Sequence, residues 1–188
     1  MNQENQFVRK PHISVLPPNE ASKESNAVYD EFHRRMQFPA PPNFIMTQGH
    51  SANVARGTWE LVKNVLVTGH IERWKKEMIF VAISKERNCH YCFAAHVACC
   101  RMLGVDIEQL VNDVQTVTDP VLRDMILFAM KCARDPQSLT VGDYDVVRKH
   151  GLSQAHIMEL ISMSALAVYA NIIADATAME PDKAFETL

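Results

Sequence analysis

The sequence predicts an all-α protein, and three observations carry the prediction. Apolar residues recur at three- and four-residue spacing along most of the chain, no strict apolar/polar alternation lasts beyond a few residues, and proline is concentrated near the start. Pro11, Pro17, Pro18, Pro39, Pro41 and Pro42 make six of the nine prolines. They divide the chain into an N-terminal arm, residues 1–42, and an all-helical domain, residues 43–188. Within the arm, Glu20 to Met36 places Val28, Phe32 and Met36 on one helical face, so one helix is expected between two proline-rich connectors. The arm is expected to wrap the body or a neighbouring subunit.

In the body, the apolar spacing predicts helices over 51–68, 71–87, 89–103, 107–115, 120–134, 141–150 and 154–178. Several boundaries have a local cause. Asp119 precedes Pro120, an acceptor followed by a proline at the first helical position, and Thr140 with Asp143 has capping-box spacing. Gly104 and Gly151 each follow an apolar stretch where a left-handed closing residue is wanted. The longest apolar stretch, Leu160 to Ala174, is broken by Ser162, Ser164 and Asn171 and is shorter than the ~20 residues of a membrane crossing, so it reads as a buried helix. Trp59 and Trp74 are assigned to the core.

Composition removes several function classes. At 188 residues, with 47% hydrophobic and 22% charged residues, the chain can bury a core without staples and is neither disordered nor fibrous. A formal charge of −3 offers no overall positive field for nucleic acid or anionic lipid, so neither nucleic acid nor a membrane is expected as a partner. The polar start, Met1 to Phe7, carries no apolar run of signal-peptide length, which places the expected protein in the cytoplasm. Five cysteines is an odd number for a disulfide framework, which turns attention to reactive or metal-binding thiols.

The chemistry concentrates between Glu77 and His96. The segment reads as the end of one helix, a tight turn at Asn88, and the start of the next. On a helical wheel Cys92 lies about 60° from Cys89, and His96 about 20° from Cys89 and about 40° from Cys92, so the three share a face. Cys92 and His96 are four apart, where an imidazole can hydrogen-bond the sulfur. In an antiparallel hairpin Glu77 sits about 15 Å from the turn and His96 about 11 Å, so the carboxylate can face the imidazole directly or through one water. A helix N-terminus favours Cys89 as the attacking thiolate, whereas an adjacent base favours Cys92. Cys92 is preferred, because a base in contact both forms the thiolate and returns the proton to a leaving oxygen; Cys89 then resolves the sulfenic acid as a disulfide. Tyr91 points away from Cys89 and is given a supporting role, by packing or a hydrogen bond. His90 is expected to face solvent, and Cys99, Cys100 and Cys132 to pack the core.

The arrangement E-x11-C-x-Y-C-x3-H, filled by Glu77, Cys89, Tyr91, Cys92 and His96, resembles the alkylhydroperoxidase D and carboxymuconolactone decarboxylase-like superfamily in its peroxidase-related branch. The likeness extends over roughly 40–180, through Pro42-Asn43-Phe44, the helix around Trp59, the segments Arg123 to Ala133 and Val141 to Gly151, and Asn171 to Ala176. Ile172 departs from it, since relatives often carry arginine there. The resemblance implies an all-α alkylhydroperoxidase D-like helical bundle, homo-oligomers (dimer, trimer or hexamer), and a thiol peroxidase in which Cys92 reacts with hydrogen peroxide or a small organic hydroperoxide and Cys89 resolves. It also implies an external dithiol reductant, lipoyl-linked in some relatives.

The expected activity is therefore peroxide reduction with a Glu77–His96 proton relay, and no cofactor or metal. Two alternatives use the same residues differently. One is a non-enzymatic metal-binding or redox-sensing oligomer, with zinc held by Cys89, Cys92, His96 and a carboxylate; such ligand sets more often pair a C-x-x-C with a second pair, which this chain does not have. The other is lactone decarboxylase-type chemistry, against which the C-x-x-C pair argues.

Overall fold

The computed structural model describes residues 10–186; positions 1–9 of the expected arm and 187–188 of the expected domain lie outside the described residues. Among the described residues every regular element is helical. The α-helices are α1 Lys23–Met36, α2 Asn43–Gln48, α3 Ala52–Val62, α4 Arg73–Glu86, α5 His90–Met102, α6 Glu108–Asn112, α7 Pro120–Arg134, α8 Val141–Arg148 and α9 Gln154–Ala176.

Local chemistry sets most boundaries. Helix α1 starts later than the apolar spacing suggests, because the Ser22 hydroxyl accepts the Ser25 N–H at 3.1 Å while Glu20 and Ala21 close a turn on the Pro17 carbonyl. The Asp119 carboxylate accepts the N–H groups of Val121 and Leu122 ahead of Pro120, and the Asp143 carboxylate accepts the Thr140 N–H at 2.7 Å. Gly104 and Gly151 take φ of +69° and +81°, the left-handed closure expected of them.

Two elements depart from the expected pattern. Helix α2 was not anticipated; its first N–H, from Asn43, is accepted by the Asp182 carboxylate at 2.9 Å, a partner 139 positions away. The helix expected over 51–68 ends as a π-helical turn, Lys63–Val67, after α3. A fully buried lysine ties off that turn. Lys76 donates to the carbonyls of Val65 (2.9 Å) and Thr68 (2.6 Å) and pairs with Glu159 at 2.9 Å, while Glu159 also accepts the N–H groups of His70 and Ile71. A buried ammonium is tolerated because every contact here is an acceptor.

Helix α4 runs through the centre, buried from Lys76 to Ser84, and packs on α5, α7 and α9. By length and composition α9 is apolar enough to cross a membrane, longer than the uninterrupted stretch in the sequence suggested. It is a core helix here, burying Leu160, Met163, Leu166, Ala167, Ala170 and Ala174. Trp59 is buried, whereas Trp74 is only partly covered and lies 5.3 Å from the Lys75 ammonium, so the core assignment holds for the first tryptophan alone.

The arm's helix belongs to the same hydrophobic cluster as the body: Val28, Tyr29, Phe32, Met36 and Phe38 are buried against it. The Tyr29 hydroxyl sits between the Leu16 and Met46 carbonyls at 3.2 and 3.0 Å, fastening the arm to α2. Gly49, just after α2, makes room for that phenol, since a Cβ there would lie 1.6 Å from the Tyr29 oxygen. Gly49→Ala is therefore expected to destabilise the protein by about 1–3 kcal/mol in chemical denaturation, the cost of overpacking a rigid ring. An unchanged midpoint would contradict this close approach.

Candidate active site

Helices α4 and α5 form an antiparallel hairpin closed by Asn88, whose φ of +56° places it in the left-handed region. The Cys89 N–H bonds the Ser84 carbonyl at 3.0 Å and the Asn88 N–H bonds the Lys85 carbonyl at 3.1 Å, a Schellman closure. Asparagine tolerates this backbone better than other residues with a Cβ. The tight turn sets the register of everything beyond it.

That register brings Glu77 directly against His96. Glu77 Oε2 and His96 Nδ1 are 2.6 Å apart with no intervening water, and Glu77 is completely buried. The other carboxylate oxygen, Oε1, accepts from Arg73 Nε at 3.0 Å, an i,i+4 pair on α4. Burial pushes the Glu77 carboxyl up, but the charges and hydrogen bonds of His96 and Arg73 outweigh it and hold the group below its ordinary value. The His96 ring stacks on Phe80, centroids 3.5 Å apart and planes at 14°, which fixes its orientation.

Cys89 is the N-cap of α5 and Cys92 its third residue. The two thiols are hydrogen-bonding neighbours, and both are buried and free. The Cys89 thiol also donates to the Asn171 carbonyl at 4.0 Å, and the Asn171 side-chain amide donates to Ser84 Oγ at 3.0 Å. The hydrogen bond with Cys89, and then burial, push the Cys92 thiol well above its ordinary value, against a smaller opposing pull from the Asn171 side chain.

One expected contact is not formed. Among the described residues no hydrogen bond links His96 to the Cys92 sulfur: His96 Nδ1 is committed to Glu77, and Cys92 turns toward Cys89 and Asn171 at the first turn. The two groups instead meet across a shared apolar cavity of about 40 Å3. Its walls include Phe32, Met36 and Phe38 of the arm, Pro42, Phe44, Phe80, Tyr91, Cys99, Leu166 and Phe185. The Tyr91 hydroxyl donates to Asp182 Oδ2 at 2.7 Å and accepts the Phe44 N–H at 3.0 Å, tying α5, α2 and the C-terminal segment around the cavity. His90 is exposed, as expected.

Sequence reasoning missed three site residues. Arg73 was legible as the i,i+4 partner of Glu77. Cys99 was legible too, since Cys92, His96 and Cys99 fall at i, i+4 and i+7; it is buried as expected, but on the cavity wall and close to Glu77 and His96. Asn171 carried no local signal for its contact with the thiols. Cys100 and Cys132 are buried away from the cavity lining, and burial raises the Cys100 thiol to about 12.

Glu77→Gln is expected to cost about 2–3 kcal/mol at neutral pH, somewhat less than the ~3–5 kcal/mol of breaking a fully buried pair, because Arg73 and His96 reach solvent. Since folding lowers the Glu77 pKa, its contribution is complete above the ordinary carboxyl value of 4.5 and fades as pH falls through the folded value. Denaturation of both proteins from neutral to acid pH reads this out, and a difference that stays constant into acid would contradict it.

No protein-family model matches the chain, nor does any curated protein. Solved structures do. An uncharacterized peroxidase-related protein from Silicibacter sp. TM1040 superposes with a TM-score of 0.83 at 23% identity, over 96% of this chain and 97% of that one. An alkylhydroperoxidase AhpD core protein, also peroxidase-related and uncharacterized, from Ralstonia eutropha JMP134 gives 0.80 at 23% identity over 93% and 94%. The debrominase Bmp8, as a variant in complex with 2,3,4-tribromopyrrole, gives 0.79 at 19% identity over 99% and 97%. With its helix order and hairpin, the chain has the all-helical fold of the AhpD-like, peroxidase-related proteins.

Proposed function

We propose that the protein is a thiol-dependent peroxidase, reducing hydrogen peroxide or a small organic hydroperoxide through Cys92 and Cys89. The observation that carries this reading is that Cys92, paired with the neighbouring Cys89 thiol at the start of α5, and His96, held by the buried Glu77, line the same small cavity. In the first step Cys92 gives its proton to His96 through a water in the cavity, and the sulfur attacks the terminal peroxide oxygen. The O–O bond breaks, the leaving alkoxide takes the proton back from His96, and Cys92 becomes a sulfenic acid. The Cys89 sulfur then attacks that of Cys92, expelling water and forming the disulfide. An external dithiol, oxidised in turn, restores both thiols; a lipoyl-linked carrier and a homo-oligomeric assembly fit the reading.

A thiol held above its ordinary pKa is protonated at neutral pH, which makes a base necessary rather than optional. Glu77 orients the imidazole and stabilises its charged form, while the Phe80 stack keeps the ring from turning away. The free backbone N–H groups of the first turn of α5 favour the thiolate once it forms.

Cavity size separates peroxide from bulkier substrates. About 40 Å3 is room for a few waters, at roughly 10–15 Å3 each on the same measure, and so for a peroxide group. A brominated ring like that bound to the debrominase requires the aromatic walls to move. Reductive debromination, in which two thiols become a disulfide and C–Br becomes C–H with release of HBr, is thus the second reading, supported by the aromatic lining; bromide release from a bromopyrrole reports on it.

Cys92→Ser is expected to abolish peroxide consumption, whereas Cys89→Ser leaves a Cys92 sulfenic acid trapped by dimedone. A sulfenic acid found on Cys89 would reverse the roles. In reduced protein without peroxide, alkylation of Cys92 by iodoacetamide is expected to keep rising beyond pH 9, the ordinary thiol value, because its pKa is raised. A plateau near neutrality would show a resting thiolate and remove the need for the base.

A further inference from the structure

Cys99 has no part in the reaction above, yet it lines the cavity with His96 and lies close to Glu77 behind it. One ligand atom from each of the three lies within 4.8 Å of the others, with the carboxylate and thiol buried and the imidazole half-buried. All three come from the α4–α5 hairpin, so the cluster is held by two packed helices rather than by loops. A carboxylate, an imidazole and a thiolate form a donor set of intermediate softness suited to zinc.

We propose that Glu77, His96 and Cys99 form a binding site for one thiophilic divalent cation of the zinc class, with its fourth position facing the apolar cavity. Three protein ligands and one open position describe an exchangeable site rather than a closed structural one. Arg73 is the charged neighbour to reconcile with a cation. It holds Glu77 Oε1 and leaves Oε2 for the metal. The Glu77 carboxylate and the Cys99 thiolate together cancel the two charges of the dication, so the loaded site is neutral beside the guanidinium. The 2.6 Å Glu77–His96 contact must open to about 3.3 Å to place both ligands ~2.0–2.2 Å from a tetrahedral ion, a shift taken up by the carboxylate because the imidazole is stacked on Phe80.

The C-x-x-C thiols belong to a different set. Cys92 and Cys99 are separated by two turns, about 10.5 Å along α5, too far for one ion to take both. Occupancy withdraws His96 and Glu77 from proton transfer on the peroxidase reading, but binding is measured without peroxide and stands apart from it.

The test uses reduced, metal-stripped full-length protein, titrated with zinc against a chromophoric chelator and with cobalt(II) by absorption. The expected result is one equivalent bound, with a sulfur-to-cobalt charge-transfer band of one thiolate's intensity. The Cys89→Ser/Cys92→Ser double variant should retain it. Cys99→Ser should lose the band and bind zinc at least tenfold more weakly, with Cys99→Ala as the better packed control for a buried position. Failure of the wild-type protein to bind stoichiometrically would overturn the proposal. So would a band of two-thiolate intensity, or binding kept by the Cys99 variants and lost by the double variant, which would place the ion on the C-x-x-C pair.

Discussion

A carboxylate with no solvent exposure sits at the centre of this protein, and most of the surrounding structure follows from giving Glu77 partners. An unpaired charge in that position costs several kcal/mol, so α4 must bring a cation and the neighbouring helix another. Arg73 supplies the first from one turn back, and His96 the second from across the hairpin. The second contact works only in one register of α5 against α4, and that register is fixed by the left-handed Asn88 turn. Because Cys89 and Cys92 follow the turn directly, the same register delivers Cys92 to the cavity wall with Cys89 beside it.

Around this pair the fold supplies dryness and fixed orientation. The arm brings Phe32, Met36 and Phe38, and the C-terminal segment brings Phe185, so residues from both ends of the described chain close over a cavity whose chemical groups lie in its middle. Tyr91 and Asp182 hold that closure together: burial raises the carboxyl of Asp182 and, together with Asp182, the phenol of Tyr91. A polar knot inside an apolar wall makes the enclosure specific, since each of its groups is left unsatisfied if the segment lifts away.

What could be read from sequence divides along physical lines. Helices with a local cause, such as α7 behind Asp119-Pro120 or α8 behind Thr140, were legible because the cap and the apolar face lie in one window. Helix α2 was not, because its capping carboxylate, Asp182, comes from the far end of the chain. The Glu77–His96 contact was legible because a hairpin with a known turn converts spacing into depth. The orientation of the Cys92 side chain was not, because wheel geometry places a Cβ and not a sulfur; the sulfur follows its hydrogen-bonding neighbours, the Cys89 thiol and the amide of Asn171, the latter a contact across the core. Lys76, buried among carbonyls of a π turn, shows the same limit: a lysine in a helical pattern reads as solvated until the acceptors around it are seen.

The central claim is that these two thiols and the buried Glu77–His96 pair perform one peroxide reduction per reduced pair. It is tested most directly by mixing fully reduced, metal-free protein with one equivalent of hydrogen peroxide in a stopped-flow instrument and mapping the cysteines by mass spectrometry. The account predicts rapid loss of one equivalent of peroxide and a Cys89–Cys92 disulfide with Cys99, Cys100 and Cys132 still reduced. Persistent peroxide with all five thiols intact would contradict it.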